Sequence, residues 1–249
     1  MSKCNYQKRM NFKDITGVTC ADCLKDTEDT INTILLGKTK LLENLTIGER
    51  LWYETYVAET VKFITSLKKY SPENVLDVGS GYGRVIELIR KTLPCTLITG
   101  TENVKAIYNI LTKRFQGIDE IDLQHVDVNG FLEGTNNQFD MATCMMNTYG
   151  NINDEQLFSS VMGHTNRFVF TLYNSNYDVL RAEMYKARCH KNFEYKNRQY
   201  EFSDSWSNVK VSRGYSKDEI IALVERSNGK VASLQELGIL YYCVTEKLP

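Results

Sequence analysis

The feature that most constrains this 249-residue chain is the run Val75-Leu76-Asp77-Val78-Gly79-Ser80-Gly81-Tyr82-Gly83-Arg84. An apolar strand, a glycine turn and the start of a helix follow one another without interruption. Glycines let the backbone turn tightly and approach a ligand closely at the carboxyl end of a first strand. Many nucleotide-binding folds share such a turn, so the residues around it decide. Arg84 stands where a dinucleotide fingerprint would place its third glycine. Asp77, just before the turn, suits a ligand with an ammonium group and would repel a pyrophosphate.

Two more carboxylates extend the pattern. Glu102 ends the next predicted strand, where an acid can accept both hydroxyls of a ribose. Asp127, in His125-Val126-Asp127-Val128, follows the third strand. There it can reach an exocyclic base amine, with the neighbouring Val128 amide on a ring nitrogen. Acids at three successive strand ends fit a ligand with an amino acid end, a ribose and an adenine. S-adenosylmethionine has all three.

The rest of the chain supplies the scaffold. Predicted strands at 74–78, 96–100, 121–126, 139–145 and 167–172 alternate with predicted helices at 84–92, 104–115 and 154–164. Short strands, apolar on both faces and separated by helices, indicate an α/β doubly wound, mostly parallel sheet. Upstream, Thr46-Ile-Gly-Glu49 reads as a capping box opening a helix to about Tyr70. Tyr53, Val57, Val61, Ile64 and Leu67 form its expected buried face. A second capping box, Ser216-Lys-Asp-Glu219, opens a helix that ends at Asn228-Gly229. Strands 230–236 and 239–245 then close the sheet as a hairpin. We expect residues 1–70 to form N-terminal lid or cap helices. Residues 71–249 form the ligand-binding core with a substrate-cover insertion at 177–213, a helix to about Arg188 followed by short strands. Its aromatics (Tyr177, Tyr185, Phe193, Tyr195, Tyr200, Phe202 and Trp206) either wall a substrate pocket or form the core of a small subsheet.

In order and spacing, Asp77–Gly83, Glu102, Asp127 and the Phe139-Asp140…Asn147 segment resemble the sequential motifs of class I S-adenosylmethionine-dependent methyltransferases. The resemblance runs from about Leu51 to the C-terminus and is poor at 177–213. It implies a seven-stranded sheet with the last strand reversed. It also implies S-adenosyl-L-methionine as cofactor, with S-adenosyl-L-homocysteine as product. Asp77, Gly79, Ser80, Gly81 and Gly83 would border the methionine, Glu102 and Asn103 the ribose, and Asp127 and Val128 the adenine. Tyr53 and Tyr56 either reach the methionine end or pack on the sheet.

The loop Met146-Asn147-Thr148-Tyr149-Gly150 would sit beside the transferred methyl, making Asn147 and Tyr149 the catalytic candidates. Asn147 either accepts a hydrogen bond from an attacking amine or caps a turn. The loop lacks the Asn/Asp-Pro-Pro-aromatic pattern of many nucleic acid amine methyltransferases. It is closer to loops of enzymes that methylate amines of small molecules or peptides, the terminal amine of a peptide natural product among them. O-methylation of a small hydroxylated metabolite ranks behind this, followed by RNA methylation and by a non-catalytic adenosyl-binding partner subunit. A dinucleotide oxidoreductase is the remaining rival.

Composition narrows the classes further. A net charge of −1 gives no electrostatic footprint for nucleic acid or anionic lipid. No apolar run reaches membrane-spanning length, and no hydrophobic leader opens the chain, so a soluble, cytoplasmic protein is expected. Seven scattered cysteines read as reduced thiols. Cys20 and Cys23 have no second pair to complete a zinc site, and no metal is expected.

Overall fold

The structure, a computed structural model, describes residues 47–152, 154–187, 192–203 and 210–248. The Cys20/Cys23 pair and the Thr46 capping box lie outside these residues, as does most of the expected cap. Helix α1 (Ile47–Tyr70) leads into β1 (Asn74–Val78), α2 (Arg84–Thr92), β2 (Leu97–Thr101), α3 (Lys105–Arg114) and β3 (Ile121–Gln124). Then come α4 (Val128–Glu133), β4 (Met141–Cys144), α5 (Thr148–Ile152), α6 (Glu155–Gly163) and β5 (Arg167–Asn174). The late segment holds α7 (Asp178–Ala187), β6 (Phe193–Lys196), β7 (Gln199–Phe202) and β8 (Val211–Tyr215). Helix α8 (Lys217–Arg226) and the hairpin β9 (Gly229–Leu237) and β10 (Leu240–Lys247) finish the chain.

The sheet runs β3-β2-β1-β4-β5, parallel throughout, and continues through antiparallel β10 to β9. These seven strands form the doubly wound core. The described sheet is larger than the expected seven, because β8, β7 and β6 attach to it in a row. The attachment point is specific. β4 pairs with β5 at Phe168–Phe170, and β8 takes the same parallel role further along, at Tyr173 and Asn174. The insertion therefore grows from the carboxyl end of the central sheet, above the tip of β4.

Apolar packing explains the two layers. Leu76, Val78, Cys144, Phe168 and Phe170 bury one face against Phe158 and Val161 of α6 and Leu223 and Val224 of α8. Val75, Met141 and Val169 bury the other against Phe63 and Leu67 of α1 and Ile86 and Ile89 of α2. Strands covered on both faces need the apolar character that Val75, Leu76 and Val78 give β1, broken only by Asp77. Helix α8 begins with both halves of the expected capping box, Ser216 and Glu219 bonding each other's backbone amides.

Helix α1 departs in part from its expected face. Val61 is 54% exposed, whereas Tyr53, Tyr56, Phe63 and Leu67 are buried together with Thr55, Glu59, Thr60 and Ser66. The expected positions Tyr53 and Leu67 are buried and Val57 and Ile64 half-buried, but half of the buried stripe is polar, which apolar periodicity alone does not find. Among the described residues, no helix is long and apolar enough to cross a membrane, and no group of three His, Cys, Asp or Glu side chains could hold a metal ion.

Candidate active site

The three predicted acids come together along one edge of the sheet. Asp77 lies near the end of β1, Glu102 just past β2, and Asp127 three residues past β3. The glycine turn joins the first two. Gly81 N–H donates to Glu102 Oε2 at 3.0 Å, and Val104 N–H donates to Oε1 at 2.7 Å. Gly79, Gly81 and Gly83 all have positive φ (67°, 56° and 88°), where an L side chain is strained. At Gly81 an added Cβ would meet only Gly79 O, 4.0 Å away, so this glycine opens onto free space. Gly83 is instead closed in by Phe115 and Leu111 and serves helix packing.

Asp77 is 1% exposed. Its Oδ1 accepts from Thr143 Oγ1 at 2.8 Å, while its Oδ2 is buried with no hydrogen-bond partner. Burial pushes this carboxyl up to about 6, against the hydrogen bond from Thr143, the neighbouring Ser80 hydroxyl and the nearby Arg84 charge. Burial also raises Glu102, opposed by the backbone amides of Val104 and Gly81. An orphaned carboxylate oxygen beside an open glycine turn is a site short of a cationic donor. The ammonium group of S-adenosylmethionine fits that need, and its ribose fits the Glu102 carboxylate.

The other predicted cofactor residues divide. Asp127 caps α4, its Oδ1 accepting from Asn129 N–H at 3.0 Å, and the side chain is exposed. Val128 begins that helix and Asn103 is exposed at the tip of β2. Ser80 is turned inward: its hydroxyl donates to Asp77 O at 3.1 Å and its amide to Thr101 O at 2.8 Å. It braces the turn. Tyr56 lies beneath the Arg84 guanidinium, 4.8 Å from ring centroid to Cζ. Tyr53 is buried with Tyr173, Met184, Tyr185 and Tyr200, linking α1 to the insertion.

The two catalytic candidates are placed otherwise than expected. Asn147 is fully buried with φ of 60°. Its Oδ1 accepts from Tyr173 N–H at 2.9 Å, its Nδ2 donates to Ser212 Oγ at 3.1 Å, and its own N–H donates to Thr171 O at 3.2 Å. It thus fills the gap along β5 between the end of β4 and the start of β8, its side-chain amide standing in for backbone. That is the turn-capping alternative in an extended form, and it leaves the amide committed to the fold. Tyr149 packs edge-on to Phe158 (5.3 Å) and belongs to the core on the α6 side. Burial holds its phenol protonated, which removes it as a base.

The expectation from sequence omitted Glu59. This fully buried carboxylate accepts from Arg84 Nη2 (2.5 Å), Met146 N–H (2.8 Å) and Thr171 Oγ1 (2.5 Å). The only sequence signal was an arginine directly after the glycine turn, which needs an anion when buried.

Comparisons with known proteins agree with this fold. Residues 75–167 match the family model described as a methyltransferase domain. A S-adenosylmethionine-dependent methyltransferase from Clostridium acetobutylicum superposes with a TM-score of 0.58 at 12% identity, over 88% of this chain and 99% of that one. A magnesium protoporphyrin IX methyltransferase from Synechocystis, solved with bound SAH, gives 0.55 at 9% identity over 88% and 97%. The pyocyanin biosynthetic protein PhzM gives 0.55 at 13% identity over 88% and 68%. No curated protein matches the chain by sequence. The fold is that of the class I S-adenosylmethionine-dependent methyltransferases, and the matched domain supports a methyltransferase.

Proposed function

We propose that this chain transfers a methyl group from S-adenosylmethionine to an amine nitrogen of a small molecule or peptide. The observation that carries the cofactor half is the orphaned Asp77 oxygen beside the open Gly81 turn, in line with Glu102 and Asp127. S-adenosylmethionine is the cofactor and S-adenosylhomocysteine the product. Bound there, the cofactor supplies a methyl group already activated by its sulfonium.

The chain's own work is to hold and to dry. Asp77 receives the ammonium, Glu102 accepts the ribose hydroxyls, and Asp127 with the Val128 amide meets the adenine edge. The loop after β4 is pinned by Glu59 and Asn147, and the β6–β8 insertion roofs it from the carboxyl end of β5. A fixed loop under a roof favours in-line approach and excludes water.

Nitrogen is favoured over oxygen by the proton balance. A neutral amine already carries its lone pair and can lose its proton to water after transfer, whereas a hydroxyl needs a base during attack. His164 is bonded to Ser160 O (2.9 Å) and His125 is stacked on Tyr108 (5.0 Å). Neither is bonded to the loop at 145–147, and the third histidine, His190, lies outside the described residues. The test is incubation with methyl-labelled cofactor and fractionated small-molecule and peptide extract. Label in a tertiary or secondary amine is expected. Label only in methyl ethers, or in RNA, would replace the acceptor assignment.

A further inference from the structure

We propose that Glu59 is a positioning residue that couples occupancy of the cofactor turn to the conformation of the acceptor loop after β4. The inference rests on the methyltransferase reading above and adds a mechanical link inside that site. Glu59 lies on α1, outside both the turn and the loop, yet one carboxylate binds each. Oε2 holds Arg84, the first residue of α2 after the glycine turn. Oε1 holds the Met146 amide, in the loop that follows β4, and the Thr171 hydroxyl of β5. Thr171 O in turn takes the Asn147 amide, so the loop is fastened on two sides.

The loop needs such fastening. Met146 and Asn147 both adopt positive φ, 54° and 60°, and neither is glycine. Two consecutive left-handed non-glycine residues carry backbone strain, and here, outside any hairpin turn, the bonds from Glu59 and Thr171 hold them in place. The Glu59–Arg84 pair is desolvated, with side-chain exposures of 0% and 12%, so its strength is sensitive to charge nearby.

Arg84 is the shared element. It directly follows Gly83 of the turn, its guanidinium donates to Glu59 Oε2 at 2.5 Å and Thr60 Oγ1 at 3.3 Å over the Tyr56 ring, and the Asp77 carboxylate adds a weaker attraction. A ligand ammonium seated against Asp77 neutralises that weaker attraction. Arg84 is then held chiefly by Glu59, whose other oxygen carries the Met146 amide. Ligand binding therefore has a differential interaction with the fastened loop, which a population shift requires. The Met146 N–H is its own reporter, since its exchange with solvent requires breaking the bond to Glu59.

The experiment is amide hydrogen exchange on the full chain, with and without saturating S-adenosylhomocysteine, in wild type and Glu59→Gln. The glutamine keeps an acceptor for Met146 but loses the charge that grips Arg84. In wild type the ligand is expected to slow exchange in the 145–148 peptide at least tenfold. In Glu59→Gln, with ligand bound at saturation, the slowing should fall below twofold, with β2 amides unchanged as a control. Equal slowing in both proteins would overturn the coupling, as would wild type that binds ligand without slowing. If Glu59→Gln does not fold, Thr171→Val removes one of the carboxylate's bonds without changing charge. It should give an intermediate slowing, and a wild-type response would again overturn the coupling. Failure of wild type to bind the ligand would instead remove the methyltransferase reading itself.

Discussion

Replacing Asp77 by asparagine should stabilise the ligand-free protein at neutral pH while weakening its hold on the cofactor. Asp77 is pushed up by burial from its ordinary 3.8 to about 6. In the unfolded chain the carboxyl loses its proton through the lower value; in the folded chain it keeps it through the higher. Between the two the folded state binds more protons, so stability falls as pH rises. The gap of roughly two pH units corresponds to about 3 kcal/mol, fully present below pH 3.8 and lost above pH 6. The asparagine side chain has no such titration and can still accept from Thr143 Oγ1. Urea unfolding followed by circular dichroism from pH 3.5 to 8 gives the difference between variant and wild type, in which unrelated groups cancel. That difference should grow by about 3 kcal/mol across the range, in favour of the Asp77→Asn variant. Saturating S-adenosylhomocysteine should reverse the ranking above pH 6, because its ammonium pairs with the wild-type carboxylate. A difference flat to within about 0.5 kcal/mol would refute the claim that Asp77 is held as a buried, unpaired acid.

Three further outcomes are expected. Glu102→Ala removes the acceptor of the Gly81 and Val104 amides and of the ribose, weakening S-adenosylhomocysteine binding by about 1.5–3 kcal/mol in calorimetry; unchanged affinity would take Glu102 out of the ribose site. Gly83→Ala forces a Cβ into a left-handed position against Leu111 and Phe115, at about 1–2 kcal/mol for the backbone and about 1–3 kcal/mol for overpacking. A scan showing the wild-type Tm would contradict that. Ser216→Ala breaks the capping box of α8 and should cost about 1 kcal/mol, read as a lower urea midpoint at unchanged slope.

Much of the core was legible because its signals are local. The glycine turn, the Ser216 box and the hairpin around Gly238 each declare themselves within a few residues, and the structure has them at those positions. What stayed hidden depends on distant partners. Glu59 reads as one more helical surface acid until Arg84, 25 residues away, and Thr171, 112 away, close around it. The polar half of the buried face of α1 was missed for the same reason, since it carries that network. Helix α4 was missed because it spans only six residues and contains Asn129 and Gly130, both weak helix formers. The short strands of the insertion were legible, but their attachment to the main sheet depends on where β8 meets β5, a pairing that nothing in either segment announces.

Asn147 shows how a loop residue can matter to a reaction without touching it. Along one edge of β5 the partners are β4 as far as Phe170, then the Asn147 amide and side chain, then β8 from Tyr173 onward. Without that bridge, Tyr173 N–H would lie buried and unpaired where two strands fail to meet, at a cost of about 1–3 kcal/mol. Asparagine suits the place twice over, tolerating left-handed backbone and offering an amide that mimics a peptide. Its second bond, to Ser212 Oγ, ties the same loop to the insertion, where Arg181 and Tyr185 also converge on Ser212. Loop and roof are therefore one hydrogen-bonded unit. The electrophile is already activated, so what remains for the protein is to fix the angle of approach and keep water out. A rigid corner built from sheet hydrogen bonds does both, and for the amine acceptor proposed above no acid or base has to be found within it.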